Sequence, residues 1–527
     1  METHELKPTK IMTPRLIVLL CILAVGIVVA LYMWLVYVPY MREYDEWGVD
    51  TFEEPDLDGD GTPHSPYLIK TVEDLAELAE KVNSGSSYRE KYFLLVNNID
   101  MTGYLSPGSA GYNDGAGWMM IGLYSGTSFS GVFDGAGHTI SGLWVNRPDE
   151  TAAGLFGQIS GAEIYRLNVE AVSITALTAA GALAGDSRNS TIVGCSAKVE
   201  ALSSACSTYM NGLGGLIGDL RGSVVENCTA EVNAEIVISE TTSMRFGGLI
   251  GYAIQGSSII NSSATVNVVL HSEGYTEAGG LVGDLYGGST IVGSYSDGSI
   301  TMFSYRRTLV GGLIGMASDS GTFIRNSGSS VDVSGVQILG GFIGMLNDEA
   351  EISRSYATGN VSCADEGDNS CSCTIGGFAA TSGGTIKSSF ATGNVTMSPN
   401  CNFNGGFIGK QYSGLISDCY STGNVSDSVY YSGGFAGNQA ENAVIINCFS
   451  TGKAQHRAFI GDQYGTAEGC YFDKNTAGTI YSGYIDKKAT GEAVGKTTAE
   501  MQNPETFEGW DFISVWFMPE NDYPKLR

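Results

Sequence analysis

From Gly154 to Gly461 short apolar stretches alternate with small and polar residues, and the alternation itself repeats. The recurring phrase is Gly-Gly-Leu-Ile-Gly, then a short polar turn, then Ile-x-x-Cys/Ser and an aromatic residue. Its clearest copies start at Gly214, Gly247, Gly279, Gly311, Gly340, Gly405 and Gly433, and weaker ones at Gly154, Gly181, Gly376 and Ala458. These are eleven units, with equivalent positions 24 to 36 residues apart. A period of that size belongs to a solenoid, a propeller or an array. Segments this short, punctuated by Gly and Asn, predict strands and turns. Gly214–Gly218, Ile416–Tyr420 and the stretch after each Thr-Gly-Asn-Val turn (358–361, 392–395, 422–425) give three short strands per unit. That is one coil of a parallel β-helix, and eleven coils at the ~4.8 Å strand spacing make a rod on the order of 50 Å long. A propeller blade needs four antiparallel strands and about 40 residues or more, so these units are too short for one.

Residues at one place in successive units stack in such a rod. Three residues after the Ile (Val in one unit) come Cys195, Cys228, Ser262, Ser294, Ser327, Ser355, Ser389, Cys419 and Cys448, and Cys470 holds the same place in the last unit. Only small residues occur there, which predicts an inward position against the next coil. One residue on come Tyr295, Tyr356, Phe390, Tyr420, Phe449 and Tyr471, which predicts an aromatic ladder of the kind that stabilises flat sheets. Ile416 is placed inward.

The phrases GGLIG and SYATGNV resemble the GLUG motif of bacterial and archaeal surface proteins. PYLIKTVEDLAELAEKVNSG, NNIDMTG and FSGVFDGAGHTISGL, within residues 67–145, resemble the leader that precedes such repeats. YFDKNTAG and KTTAEMQNPETFEGWDF resemble their closing segment. The resemblance implies a right-handed parallel β-helix in an adhesin-like cell-surface protein, and implies no reaction.

Two flanking regions complete the expected all-β fold. Thr71–Val82 reads as a helix, with Thr71 and Asp74 as a capping box and Val72, Leu75, Leu78, Ala79 and Val82 as its apolar stripe. It is expected to cover the N-terminal end of the solenoid, whose open strand edges would otherwise recruit other chains. Phe507, Trp510, Phe512, Val515, Trp516 and Phe517 are expected to cap the other end.

Ahead of these, Leu16–Val38 is an uncharged apolar run of 23 residues, long enough to span a bilayer. Lys7, Lys10 and Arg15 precede it, and Tyr32, Trp34 and Tyr37 lie near its end, so it reads as an uncleaved anchor with the N-terminus inside. Cleavage after Ala30 and secretion is the alternative. The expected layout is 1–15 cytoplasmic, 16–38 transmembrane, 39–66 acidic linker, 67–145 N-terminal capping region, 146–472 repeats and 473–527 C-terminal capping segment.

Gly makes up 72 of the 527 residues, and 28 basic against 56 acidic residues leave a net charge of −28. That balance argues against nucleic-acid binding, which needs a basic face. Asp56, Asp58 and Asp60, followed by Gly61, resemble half of an EF-hand loop and make calcium the candidate ion, although the twelfth position is Tyr67 and not a bidentate Glu. Cys363, Cys371, Cys373 and Cys401 form a cluster expected to oxidise to disulfides outside the cell, in pairings that spacing does not assign. His138 sits near Asp134 in a stretch that reads as a turn. No HExxH, GxSxG or phosphate loop occurs, and the acids read as scattered, so no catalytic residue is assigned. The expected function is adhesion or structural spacing at the cell surface, without catalysis and without a cofactor other than calcium. Glycans or surface and matrix proteins are the expected partners. The alternatives are a polysaccharide-processing lyase or hydrolase, and a carbohydrate-binding module of a larger surface assembly.

Overall fold

The computed structural model describes residues 52–527 apart from 206–210, 239–242, 305, 348, 364–372, 398–401, 427–430 and 455. The chain divides into two units, Met1–Phe52 and Glu53–Arg527. The expected anchor at 16–38 and its cytoplasmic flank lie outside the described residues. Among the described residues no helix is long and apolar enough to cross a membrane.

A typical repeat runs through four sheets, one more than the sequence pattern suggested. In one unit the strands are Met244–Gly247, Ile250–Ile254, Ser258–Ile260 and Ser263–Ser272. The Gly-Gly phrase joins the first two strands at a tight corner instead of opening a single strand. A Cβ on Gly214 would lie 1.9 Å from the Ile217 carbonyl oxygen, and one on Gly215 would lie 2.2 Å from the Gly248 carbonyl oxygen. No side chain fits there, which explains why the pair recurs. The strand ahead of it was hidden because its residues differ from unit to unit.

Successive coils pair in parallel and in register, giving a 14-stranded, a 10-stranded, a 12-stranded and a broad fourth sheet. The 12-stranded sheet takes one strand from each of the eleven units and ends on Tyr484–Ile485. The inward column Ile259, Ile291, Ile324, Ile352, Ile386, Ile416, Ile445 runs through the 14-stranded sheet, and all of these side chains are fully buried. Phe342, Phe378, Phe407, Phe435 and Phe459 form a second inner column, with rings 4.6–4.9 Å apart and within 10° of parallel.

The Ser/Cys column does more than fill space. The Ser262 backbone N–H donates to Ser294 Oγ at 3.1 Å, and Ser294 N–H to Ser327 Oγ at 3.3 Å. Each hydroxyl in turn donates to a carbonyl two residues back, as Ser262 Oγ does to Ile260 at 2.8 Å. The residue before this column leaves the strand in the left-handed region, at φ 53° for Asn227, 47° for Asn261 and 53° for Asp418. There the extended chain turns from one sheet to the next, and Asn and Asp tolerate that conformation best after Gly. The Asn residues of Thr-Gly-Asn-Val form an outer ladder. The backbone N–H of Asn394 donates to Asn360 Oδ1, and that of Asn424 to Asn394 Oδ1, both at 3.0 Å.

Helix α1 spans Val72–Asn83, with Thr71 and Asp74 forming the capping box. Leu75, Leu78, Ala79 and Val82 are buried in the common core. Asn83 fixes its end by bonding Met120 O and Gly122 N, each at 3.0 Å.

The C-terminal segment departs from expectation. Phe507, Trp510 and Trp516 do not close the end of the solenoid but pack on its flank, over Tyr420, Phe449 and Tyr471. They cover the aromatic ladder, in which Phe390, Tyr420 and Phe449 stack at 5.0 Å. A ladder left open would present a long apolar stripe, so the segment buries it. Tyr295 stands outside the stack at 53% exposure, because Gly328 in the next coil offers it no ring.

Candidate functional site

The expected sites are not drawn together. Asp58 pairs with Lys70, Asp60 Oδ1 caps the Thr62 N–H at 3.0 Å, and the Asp56 N–H donates to Glu77. Among the described residues no group of three or more His, Cys, Asp or Glu is placed to hold a metal ion. Asp60 thus closes a turn, and at the twelfth position, where an EF-hand loop carries a bidentate Glu, stands the buried Tyr67. His138 Nδ1 lies 3.2 Å from Asn98 Oδ1, while Asp134 pairs with Arg166. A disulfide joins Cys363 to Cys373. Cys371 and Cys401 lie outside the described residues. Cys195, Cys228, Cys419, Cys448 and Cys470 are free and buried. Burial pushes the Cys448 and Cys470 thiols well up, which leaves them unreactive.

A cluster that the sequence pattern did not single out lies at the Gly-Gly corner. There the outward columns of two sheets face each other. In the 12-stranded sheet the column runs Asp186, Asp219, Tyr252, Asp284, Met316, and in the 10-stranded sheet Gly212, Arg245, Glu277, Leu309. Asp186 is fully buried, held by Arg188 Nε at 2.9 Å and Arg221 Nε at 3.2 Å. Arg221 also reaches Asp219 at 2.5 Å. One coil on, Arg245 Nε lies 3.0 Å from both Glu277 and Asp284, with its guanidinium 3.8 Å from the centre of the Tyr252 ring.

Glu277 and Asp284 are each 2% exposed. Burial, followed by the facing Glu277 carboxylate, pushes Asp284 up to about 8, against the pull of Arg245. Burial also raises Glu277, opposed by Arg245. Two carboxyls facing one guanidinium cannot both ionise cheaply, so the pair keeps a proton at neutral pH. Asp284 Oδ1 is buried without a hydrogen-bond partner in the protein. The arrangement can hold, give or take one proton, or clamp two coils together.

Its signal was present in the sequence. Asp186, Asp219 and Asp284 each follow the closing Gly of the repeat phrase, and Arg245 and Glu277 each stand two residues before the Gly-Gly pair. Acids counted along the chain look scattered, whereas acids counted by place in the unit form a column.

Residues 242–269, which hold the Gly247 repeat phrase and most of its coil, match the family described as the GLUG motif. The chain carries the GLUG motif. Two relatives share parts of this GLUG-repeat chain. A protein of Evansella cellulosilytica, named as a Gly-rich membrane protein, is 39% identical over 101 residues, covering 19% of this chain and 10% of its own length. Halomucin of Haloquadratum walsbyi is 32% identical over 143 residues, covering 26% of this chain and 2% of its own length. The GLUG-repeat chain thus spans a tenth or less of the curated relatives that it matches. A solved structure, a Bacteroides ovatus protein described as an immunoglobulin A1 protease, aligns over 89% of this chain and 94% of its own at 16% identity. Its TM-score is 0.24, and the likeness carries no functional argument.

Proposed function

We propose that this protein is a membrane-anchored surface solenoid that adheres or spaces through a repeated face, without turnover. The observation that carries the reading is the parallel stack itself. One outward column, the Asn360–Asn394–Asn424 ladder, repeats one chemistry from coil to coil and so offers equivalent weak contacts, which suits multivalent attachment. The names of the two relatives, a membrane protein and halomucin, support a surface location. The uncharged run Leu16–Val38 supplies the anchor in this reading, α1 covers the first coils, and glycans or matrix proteins are the partners. Protease added to intact cells should digest the repeats and leave a membrane-bound fragment. A mature chain beginning near Leu31 would reject the anchor. A glycan and matrix-protein screen with the full chain should give multivalent binding, and failure on every surface would leave only the spacer.

One observation favours a second reading, a polysaccharide-processing enzyme: the proton-sharing pair Glu277 and Asp284 beside Arg245 and Tyr252. Raised carboxyls of this kind serve as general acids. Turnover of acidic polysaccharides that disappears in Asp284→Asn would establish it, and no turnover with the unaltered chain would remove it.

A further inference from the structure

The two ends of the solenoid are finished differently. At the start, the segment from Asp58 to Gly61 runs beside the first strands, with the Leu68 N–H donating to Asp58 O at 2.8 Å and the Tyr92 N–H to Gly61 O at 3.0 Å. Helix α1 buries four apolar residues against the same core. At the far end no further strand pairs with the last coil among the described residues. Tyr484–Ile485 is the terminal strand of its sheet, paired only with Asp462–Gln463. Val494–Lys496 pairs only with Tyr471–Asp473. Their other edges are free of strand partners. The aromatic C-terminal segment that was expected here lies on the flank instead.

This last coil is also where apolar side chains stand out in solvent. Ile480 is 72% exposed, Tyr481 70%, Tyr484 51% and Val494 46%. Four large apolar groups within fifteen residues, set along open strand edges, form the kind of surface that folded chains otherwise cover, twist away or charge. The charge here departs from the rest of the molecule. Residues 479–496 carry Lys487, Lys488 and Lys496 against Asp486 and Glu492, and Lys488 pairs with Glu441 at 2.7 Å, so the two signs balance here, in a chain whose net charge is −28. The net negative charge of the whole chain disfavours association of copies in general, whereas this end carries both signs.

We propose that the C-terminal coil is an end-on interface between two copies of this chain, related by a two-fold axis. The occupant is a second copy because both the chemistry and the topology are self-complementary. Lysines and carboxylates share one small surface, and an open strand edge pairs with its own symmetry mate in antiparallel fashion. A two-fold contact uses the same edge on both copies, so it closes at two chains and does not grow into a fibre. The interface stands apart from the surface reading, since a spacer, an adhesin or an enzyme would each keep it.

The test is the mass of the full chain in detergent, followed by light scattering over a dilution series. The unaltered chain should be a dimer that dissociates on dilution. Tyr484→Asp and, separately, Ile480→Asp should weaken the dimer at least tenfold with an unchanged melting temperature, because both side chains already stand in solvent. Tyr356→Asp, at an exposed position on the flank, should leave the dimer intact. If either end variant melts early, zero-length carboxyl–lysine cross-linking of mixed isotope-labelled and unlabelled chains replaces it. Cross-links confined to 479–496 between the two labels are then expected. A chain that is monomeric throughout, a dimer that survives both substitutions, or cross-links only elsewhere would overturn the proposal. None of these outcomes bears on attachment to glycans or matrix, so this interface and the adhesive reading fail separately.

Discussion

Asp284 ties the charged corner to pH. Its folded-state value of about 8 lies above the ordinary aspartate value of about 3.9. Between those two pH values the folded chain holds a proton that the unfolded chain has lost. Stability contributed by this group is therefore full below about pH 4 and falls as pH rises to about 8. Glu277, raised in the same direction, adds to the slope. Chemical denaturation of Asp284→Asn should show a flatter dependence on pH over that window, and a more stable protein than the unaltered chain at pH 9. An unchanged slope would mean that Asp284 does not hold a proton in the folded chain over that window. The Ser ladder gives a second residue-scale test. Ser294→Ala removes the acceptor of the buried Ser262 N–H and should cost about 1–3 kcal/mol, read by urea unfolding. A loss under about 0.5 kcal/mol, the usual range for a surface site, would show that the hydroxyl only fills space.

A single strand of this fold has no stability of its own, because its inward face is completed by the coils above and below. Ile416 is fully buried between Ile386 and Ile445, so Ile416→Ala should cost about 2–5 kcal/mol through the cavity it leaves. The C-terminal segment is tested by cutting it away. A chain ending at Lys496 should bind a hydrophobic dye and lose stability, since Tyr420, Phe449 and Tyr471 lose the cover of Phe507, Trp510 and Trp516. At this scale most of the fold was legible. The inward Ile and Ser/Cys columns, α1 with its capping box and the Phe390–Tyr420–Phe449 stack follow from periods of small and apolar residues, which packing enforces coil by coil. The first strand of each unit was not legible, because backbone pairing sets it and its side chains vary. The place of Trp510 and Trp516 was hidden for a different reason. Sequence shows that an apolar segment needs cover, but not that Tyr420 and Phe449, 61 to 96 residues earlier, are the surface it covers. The charged corner was missed because its members belong to different units and meet only through the register of Arg245 with Glu277 and across the corner with Asp284.

For the molecule as a whole, the claim that matters is that function is spread over the repeats and not concentrated at one point. Solenoid stability is close to a sum over neighbouring coils, so removing one complete unit should leave a folded, shorter rod. The most direct measurement compares attachment of cells displaying the full chain with attachment of cells displaying chains that lack 311–339, or 279–310, or both. The account predicts that every deletion folds and that adhesion to the bound surface falls in steps with the number of units removed, through loss of avidity. Complete loss of attachment from a single folded deletion, with the others unaffected, would place the activity at one discrete site and contradict it.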